Sequence, residues 1–187
     1  MKKILFLFLA ACFFFSCEKE TIVIPQQHAG RTVLAFFWAD NSLNSSLRDN
    51  IQTMMQGLQA MKDSAALLVY WDGEASDISW PEPCIVEYVT NGQGGINSLS
   101  KGTIDAMMAD KNTSIYDLIG IGNIRKKYPP QTSTEKTVMQ TVIGDMMSAY
   151  PSESYGIIFG SHGSGWLPTI TGTRSIGQDG GRYSSDT

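Results

Sequence analysis

The stretch Thr32-Val33-Leu34-Ala35-Phe36-Phe37-Trp38, followed by Ala39-Asp40-Asn41-Ser42, decides the fold. Seven consecutive apolar or β-branched residues show no polar alternation. A strand with one wet face alternates, so a continuous run reads as a strand covered on both faces. Asp40, Asn41 and Ser42 are helix-capping residue types. After them Leu43, Leu47, Ile51, Met54, Met55, Leu58 and Met61 recur at three and four. That spacing lays one apolar stripe along a helix.

The same grammar extends outward. Ala65 to Trp71 is a second buried strand, stopped by Asp72-Gly73. Cys84 to Val89 is a third, placed at or near a sheet edge by Pro81 and Pro83. Asn91 to Gly95 is turn-rich, 102–108 and 114–119 read as short helices, and Lys126-Lys127-Tyr128-Pro129-Pro130 as a loop. Thr132 with Glu135 has capping-box spacing. Val138, Val142, Ile143, Met146 and Ala149 then mark a helix ended by Pro151. Tyr155 to Phe159 reads as another buried strand, running into Gly160-Ser161-His162-Gly163-Ser164-Gly165-Trp166. Buried strands alternating with helices imply an α/β fold with a mostly parallel sheet. Sites in such sheets lie at the carboxyl ends of strands, where His162 falls.

The chain has 187 residues, a length suited to one domain. It carries 14 Lys and Arg against 18 Asp and Glu, a formal net charge of −4. Two of those cations, Lys2 and Lys3, sit in the leader, so the remainder is more acidic still. An acidic chain without a basic block is a poor partner for nucleic acid. Three Cys with no pair at ligand spacing exclude a zinc ribbon and a disulfide scaffold. No cofactor site is evident. Met54, Met55, Met61, Met107, Met108, Met146 and Met147 lie on helical stripes and read as packing residues, not as ligands.

The amino terminus reads as an address. Lys2 and Lys3 precede an apolar run from Ile4 to Phe15, too short to span a bilayer and suited to a signal peptide. The run ends in Phe14-Phe15-Ser16-Cys17, then Glu18-Lys19-Glu20. A small residue before Cys at the end of such a run resembles a bacterial lipobox. Residues 1–16 are then a lipoprotein signal peptide, Cys17 is the lipidated residue, and 17–30 is a tether in which His28 is a solvated linker residue. That implies a lipid anchor in the bacterial cell envelope, at the outer membrane. Secretion by cleavage near Ser16, leaving Cys17 a free thiol, is the competing reading.

His162 is the one His within the folded part. Gly163 and Gly165 leave its ring approachable and let backbone N–H groups come close to a substrate. An imidazole there suits general acid–base work. A turn histidine on a glycine-rich strand exit explains the same spacing equally well. A nucleotide loop fails, because Gly160, Gly163 and Gly165 run in the wrong order and no Lys follows. A serine-hydrolase elbow fails around Ser161 and around Ser164, although a serine hydrolase using either stays open as a third reading.

Three stretches resemble the clostripain-like cysteine peptidases, a family with the caspase-like fold. They are Trp38-Ala39-Asp40-Asn41-Ser42-Leu43, Tyr155 through Trp166, and Thr173-Arg174-Ser175-Ile176-Gly177-Gln178-Asp179. The resemblance covers residues 31–187. It implies a caspase-like three-layer sandwich and a Cys–His dyad cutting protein or peptide substrates after Arg or Lys. His162 would be the catalytic imidazole and the Gly163 N–H one oxyanion donor. Calcium dependence is implied by the family alone. The nucleophile would be a Cys at the end of the next core strand.

The sequence departs from the pattern at that point. No Cys follows His162, and 25 residues remain. In caspases the Cys lies roughly 50 residues beyond the His. Cys84 precedes His162 within a strand and reads as a buried structural thiol. Asp40 and Asn41 read as caps. Residues 31–187 are therefore expected to be the N-terminal portion of the peptidase domain, a fragment incomplete at its nucleophile and inactive alone. The alternative is a non-catalytic surface lipoprotein that binds a protein or glycan, with Trp80 and Trp166 as contacts. The polar, glycine-rich stretch from Gly177 to Thr187 reads as a surface loop.

Overall fold

A computed structural model describes residues 29–73 and 82–162, with the backbone of 178–179 and 182–183. The readings of residues 1–28, among them Cys17, and those of Trp80, Gly163, Ser164 and Trp166 lie outside the described residues. The apolar run that opens the domain forms β1 (Ala29–Ala39), which lies between two parallel neighbours. These are β2 (Ala65–Gly73) and β5 (Ser152–Gly160). Beyond β2 the sheet turns antiparallel, through β3 (Cys84–Val89) and β4 (Asn123–Lys127), to give the order β4-β3-β2-β1-β5.

Helices cover both faces. α1 (Asn44–Ala60) buries Leu47, Ile51, Met55 and Leu58 against Ala35, Phe37, Leu67, Val69 and Trp71. α2 (Lys101–Ala109) and α3 (Ile115–Ile121) extend the same layer with Ile104, Ile115, Leu118 and Ile119. On the other face α4 (Lys136–Ala149) sets Val142 and Met146 against Leu34, Phe36, Trp38, Leu68 and Tyr70. Alternate residues of β1 thus feed two cores, which is why its sequence shows no polar alternation. The layers are helix, sheet, helix. β6 (Gln178–Asp179) and β7 (Arg182–Tyr183) pair as a short antiparallel ribbon within the stretch read as a loop.

Four local expectations are corrected. Lys126 and Lys127 belong to β4, whose five residues are all exposed. Their strand is held by backbone pairing to β3 and by Arg125, which clamps the fully buried Glu87 through bonds of 2.6 and 2.7 Å. Second, Thr132 and Glu135 make no capping box: Glu135 is itself the cap residue of α4 and offers no side-chain bond there. The box forms instead at Ser114 and Asp117, at the start of α3. Third, β5 is not buried. Ile157 is 45% exposed, Ile158 43% and Phe159 39%. Among the described strands β5 pairs with β1 alone, so its outer edge and much of both faces stay open. Fourth, Met147 stands exposed on α4, while Met55 and Met146 are fully buried as expected.

An apolar groove of about 400 Å³ runs between α1 and β5, lined by Val33, Met54, Leu58, Met61 and Ile158, with Arg31 at its wall. It lies toward the amino end of β1, away from His162.

Candidate functional site

The carboxyl ends of β1 and β5 are adjacent because the two strands run in parallel register, with Phe37 opposite Gly160. The chain leaving β1 meets the chain leaving β5 there. Gly160 makes the approach possible: a Cβ on it would stand 2.6 Å from Phe37 Cδ1 and 2.7 Å from Leu47 Cδ2. Ser161 and His162 follow directly, and His162 is partly exposed.

The exit of β1 is fixed by Asn41. Its side-chain amide donates to the Trp38 carbonyl at 2.6 Å, and its side-chain oxygen accepts from the Leu43 N–H at 2.9 Å. Its backbone carbonyl accepts from the Asn44 N–H at 3.1 Å. Asn41 therefore closes the turn into α1, the capping role its residue type suggests, although it stands two residues ahead of the N-cap, Leu43. The same amide reaches Ser161 Oγ at 3.4 Å. Next to it Ser42 Oγ lies 2.8 Å from His162 Nε2. Two segments 120 residues apart are thus joined at one end of the sheet. Ser42 was readable only as a capping residue, since no spacing rule links it to a His so far along the chain.

A second polar cluster caps the carboxyl end of β2. Gln131 Nε2 donates to the Tyr70 hydroxyl at 3.0 Å, that hydroxyl pairs with Ser133 Oγ at 2.7 Å, and Ser133 donates to the buried Asp72. With Ser133 donating to Asp72, the donors run one way along this chain, from Gln131 through Tyr70 and Ser133. It holds the 131–135 loop over the sheet. Asp72 reads in the sequence only as a strand stop.

Cys84 lies in β3 with no exposed surface. Three strand spacings, about 14 Å, separate β3 from β5, so its thiol cannot meet His162. Among the described residues no group of three or more His, Cys, Asp or Glu side chains gathers to hold a metal ion. No helix among the described residues is long and apolar enough to cross a membrane.

Comparison with solved structures returns cysteine proteases. A B. fragilis cysteine protease shares 27% identity, with a TM-score of 0.52 over 75% of this chain and 95% of that one. A secreted C11 cysteine protease from Bacteroides thetaiotaomicron, solved with an irreversible peptide inhibitor, shares 24% identity. Its TM-score is 0.53 over 84% of this chain, but this chain spans only 36% of it. A clostripain from Bacteroides thetaiotaomicron ATCC 29148, in complex with the peptide inhibitor BTN-VLTK-AOMK, shares 16% identity. Its TM-score is 0.52 over 76% of this chain and 97% of that one. The latter two, under a quarter identical, speak to the fold alone. No curated protein matches this chain. The sequence profile of the clostripain family matches residues 35–185, a span that runs from the second half of β1 through β5 and includes Ser42 and His162. By that span, the chain belongs to the clostripain family.

Proposed function

We propose that this chain supplies the imidazole half of a clostripain-type cysteine endopeptidase that cuts after Arg or Lys. The observation that carries the reading is His162, partly exposed at the carboxyl end of β5 beside the central strand of the sheet. There His162 takes or returns the proton of a thiol, and the thiolate attacks the scissile carbonyl. The Gly163 N–H serves as one donor to the oxyanion that develops in the tetrahedral intermediate.

On this reading the thiol lies outside this sequence, since Cys84 is out of reach and no Cys follows His162. We place it on a further strand added at the open edge of β5. The exposed Ile157, Ile158 and Phe159 support that placement, because a new strand and its layer would cover them. A basic residue as the one read is what the family resemblance implies. Cys17 anchors the protein by lipid at the outer membrane.

The test is cleavage of Arg- and Lys-containing peptides. The 187-residue chain alone is expected to be inactive, and a form extended through a Cys-bearing strand active. His162→Ala abolishes that activity on this reading. Cleavage by the 187-residue chain, lost in His162→Ala, would overturn the placement of the nucleophile. Activity of the extended form that survives His162→Ala would overturn the reading altogether. The described residues offer nothing that favours the glycan- or protein-binding alternative, whose Trp80 and Trp166 lie outside them.

A further inference from the structure

We infer that Ser42 is a positioning residue for His162: its hydroxyl holds Nε2 and leaves Nδ1 as the nitrogen that faces the reacting thiol. The inference deepens the Cys–His reading and rests on it.

The geometry is a 2.8 Å contact between Ser42 Oγ and His162 Nε2. It is not an isolated surface touch. The preceding pair, Asn41 and Ser161, spans the same gap at 3.4 Å, so two successive rungs join the β1 exit to the β5 exit. The β1 side of that ladder is fixed. Asn41 bonds backward to the Trp38 carbonyl and forward to the Leu43 N–H, and Asn44 Nδ2 donates to the Ala39 carbonyl at 3.3 Å. Ser42 therefore sits on a turn whose neighbours on both sides are tied down.

The choice of a hydroxyl matters chemically. Serine carries one donor and two acceptor lone pairs on a rotor. It accepts from Nε2–H both in the neutral tautomer, whose bare Nδ1 can take the thiol proton, and in the imidazolium. The bond thus persists through both states that a general acid–base cycle visits. An ammonium in its place could not accept that bond. With Nε2 engaged throughout, one ring nitrogen remains for proton traffic, and Nδ1 is that nitrogen by elimination. Orientation of this kind lowers the barrier without Ser42 touching substrate.

The experiment begins with the 187-residue chain, labelled with nitrogen-15 and observed through its two histidines, with His28→Gln assigning the other ring. In the parent chain the His162 ring nitrogens are expected to report a hydrogen-bonded Nε2. Ser42→Ala moves both nitrogen resonances toward those of a free imidazole at the same pH, and Ser42→Thr, which keeps the hydroxyl, restores them. In a thiol-bearing form Ser42→Ala lowers kcat about tenfold, the loss of one orienting hydrogen bond. KM and the melting temperature stay close to those of the parent, and Ser42→Thr recovers most of the rate. Unchanged ring nitrogens in Ser42→Ala overturn the inference while leaving the Cys–His reading intact. Activity that survives His162→Ala removes the reading itself. Labelling of Ser42 by a serine-reactive fluorophosphonate, abolished by His162→Ala, also overturns it and makes Ser42 a nucleophile.

Discussion

Gly160 and Phe37 face each other across the β1–β5 ladder with no room for a side chain on the glycine. Gly160→Ala is expected to force β5 away from β1 at its carboxyl end. Overpacking of this kind costs about 1–3 kcal/mol. The displacement also pulls His162 off Ser42, so the variant should lose the hydrogen-bonded His162 nitrogen signal as well as stability. Urea melts and nitrogen-15 spectra of the same sample check both effects.

The Glu87–Arg125 pair is predicted to respond asymmetrically. Glu87 is sealed inside the sheet, whereas Arg125 is about a third exposed. Arg125→Met leaves the buried carboxylate with the Asn123 amide but no countercharge and should cost about 3–5 kcal/mol. Glu87→Gln keeps the shape and one acceptor and leaves a guanidinium that reaches water, so the loss should be about half as large. Equal losses in chemical denaturation would contradict this ranking.

Acid should loosen α4 from β4. Burial opposes ionisation of Asp145, but hydrogen bonds from Lys126 and Tyr128 outweigh it and hold the carboxyl below its ordinary range. A depressed folded value stabilises the protein above the unfolded value, near pH 4, and that stabilisation is lost as pH falls through the folded one. The site is partly solvated, which limits the contribution to about 1 kcal/mol or less. Asp145→Asn is expected to lower the melting temperature at pH 7 and to make no difference at pH 2.5.

Ser133→Ala should cost about 1–3 kcal/mol, because it removes the hydroxyl that donates to the buried Asp72 and pairs with the Tyr70 hydroxyl. Ser133→Thr keeps the bond and should recover most of the loss in thermal melts.

The open face of β5 should bind an apolar dye under native conditions. Ile157 and Phe159 lie on the α4 side of the sheet, where Phe159 stacks on Trp38 at 5.6 Å. Ile157→Lys is expected to lower dye fluorescence by about half and to reduce concentration-dependent self-association seen in sedimentation.

Legibility in the sequence followed burial. β1, α1, β2 and β3 are apolar enough that their runs and stripes stand out, and their bounds agree with the readings to within a few residues. β4 was hidden because Asn123-Ile124-Arg125-Lys126-Lys127 has loop composition and owes its conformation to backbone pairing and to Glu87 on another strand. β5 was found as a strand but misjudged in exposure, since an apolar strand looks the same whether or not a neighbour covers it. His162 was visible from its glycine-flanked setting, with its purpose undecided. Ser42 and the Tyr70–Ser133–Asp72 chain were invisible as a site, because each joins residues that only the tertiary fold brings together.

The parallel ladder between the first and last strands of the main sheet also sets an order of events. β1 is among the earliest parts of the domain to be synthesised, yet the pairing that seats His162 waits for β5, some 120 residues later. Contacts of such long sequence separation form late in folding, after the loop they close has been paid for in entropy. During translation the first strand and its helix must keep an apolar flank available until β5 arrives, so the imidazole is installed late among the described elements.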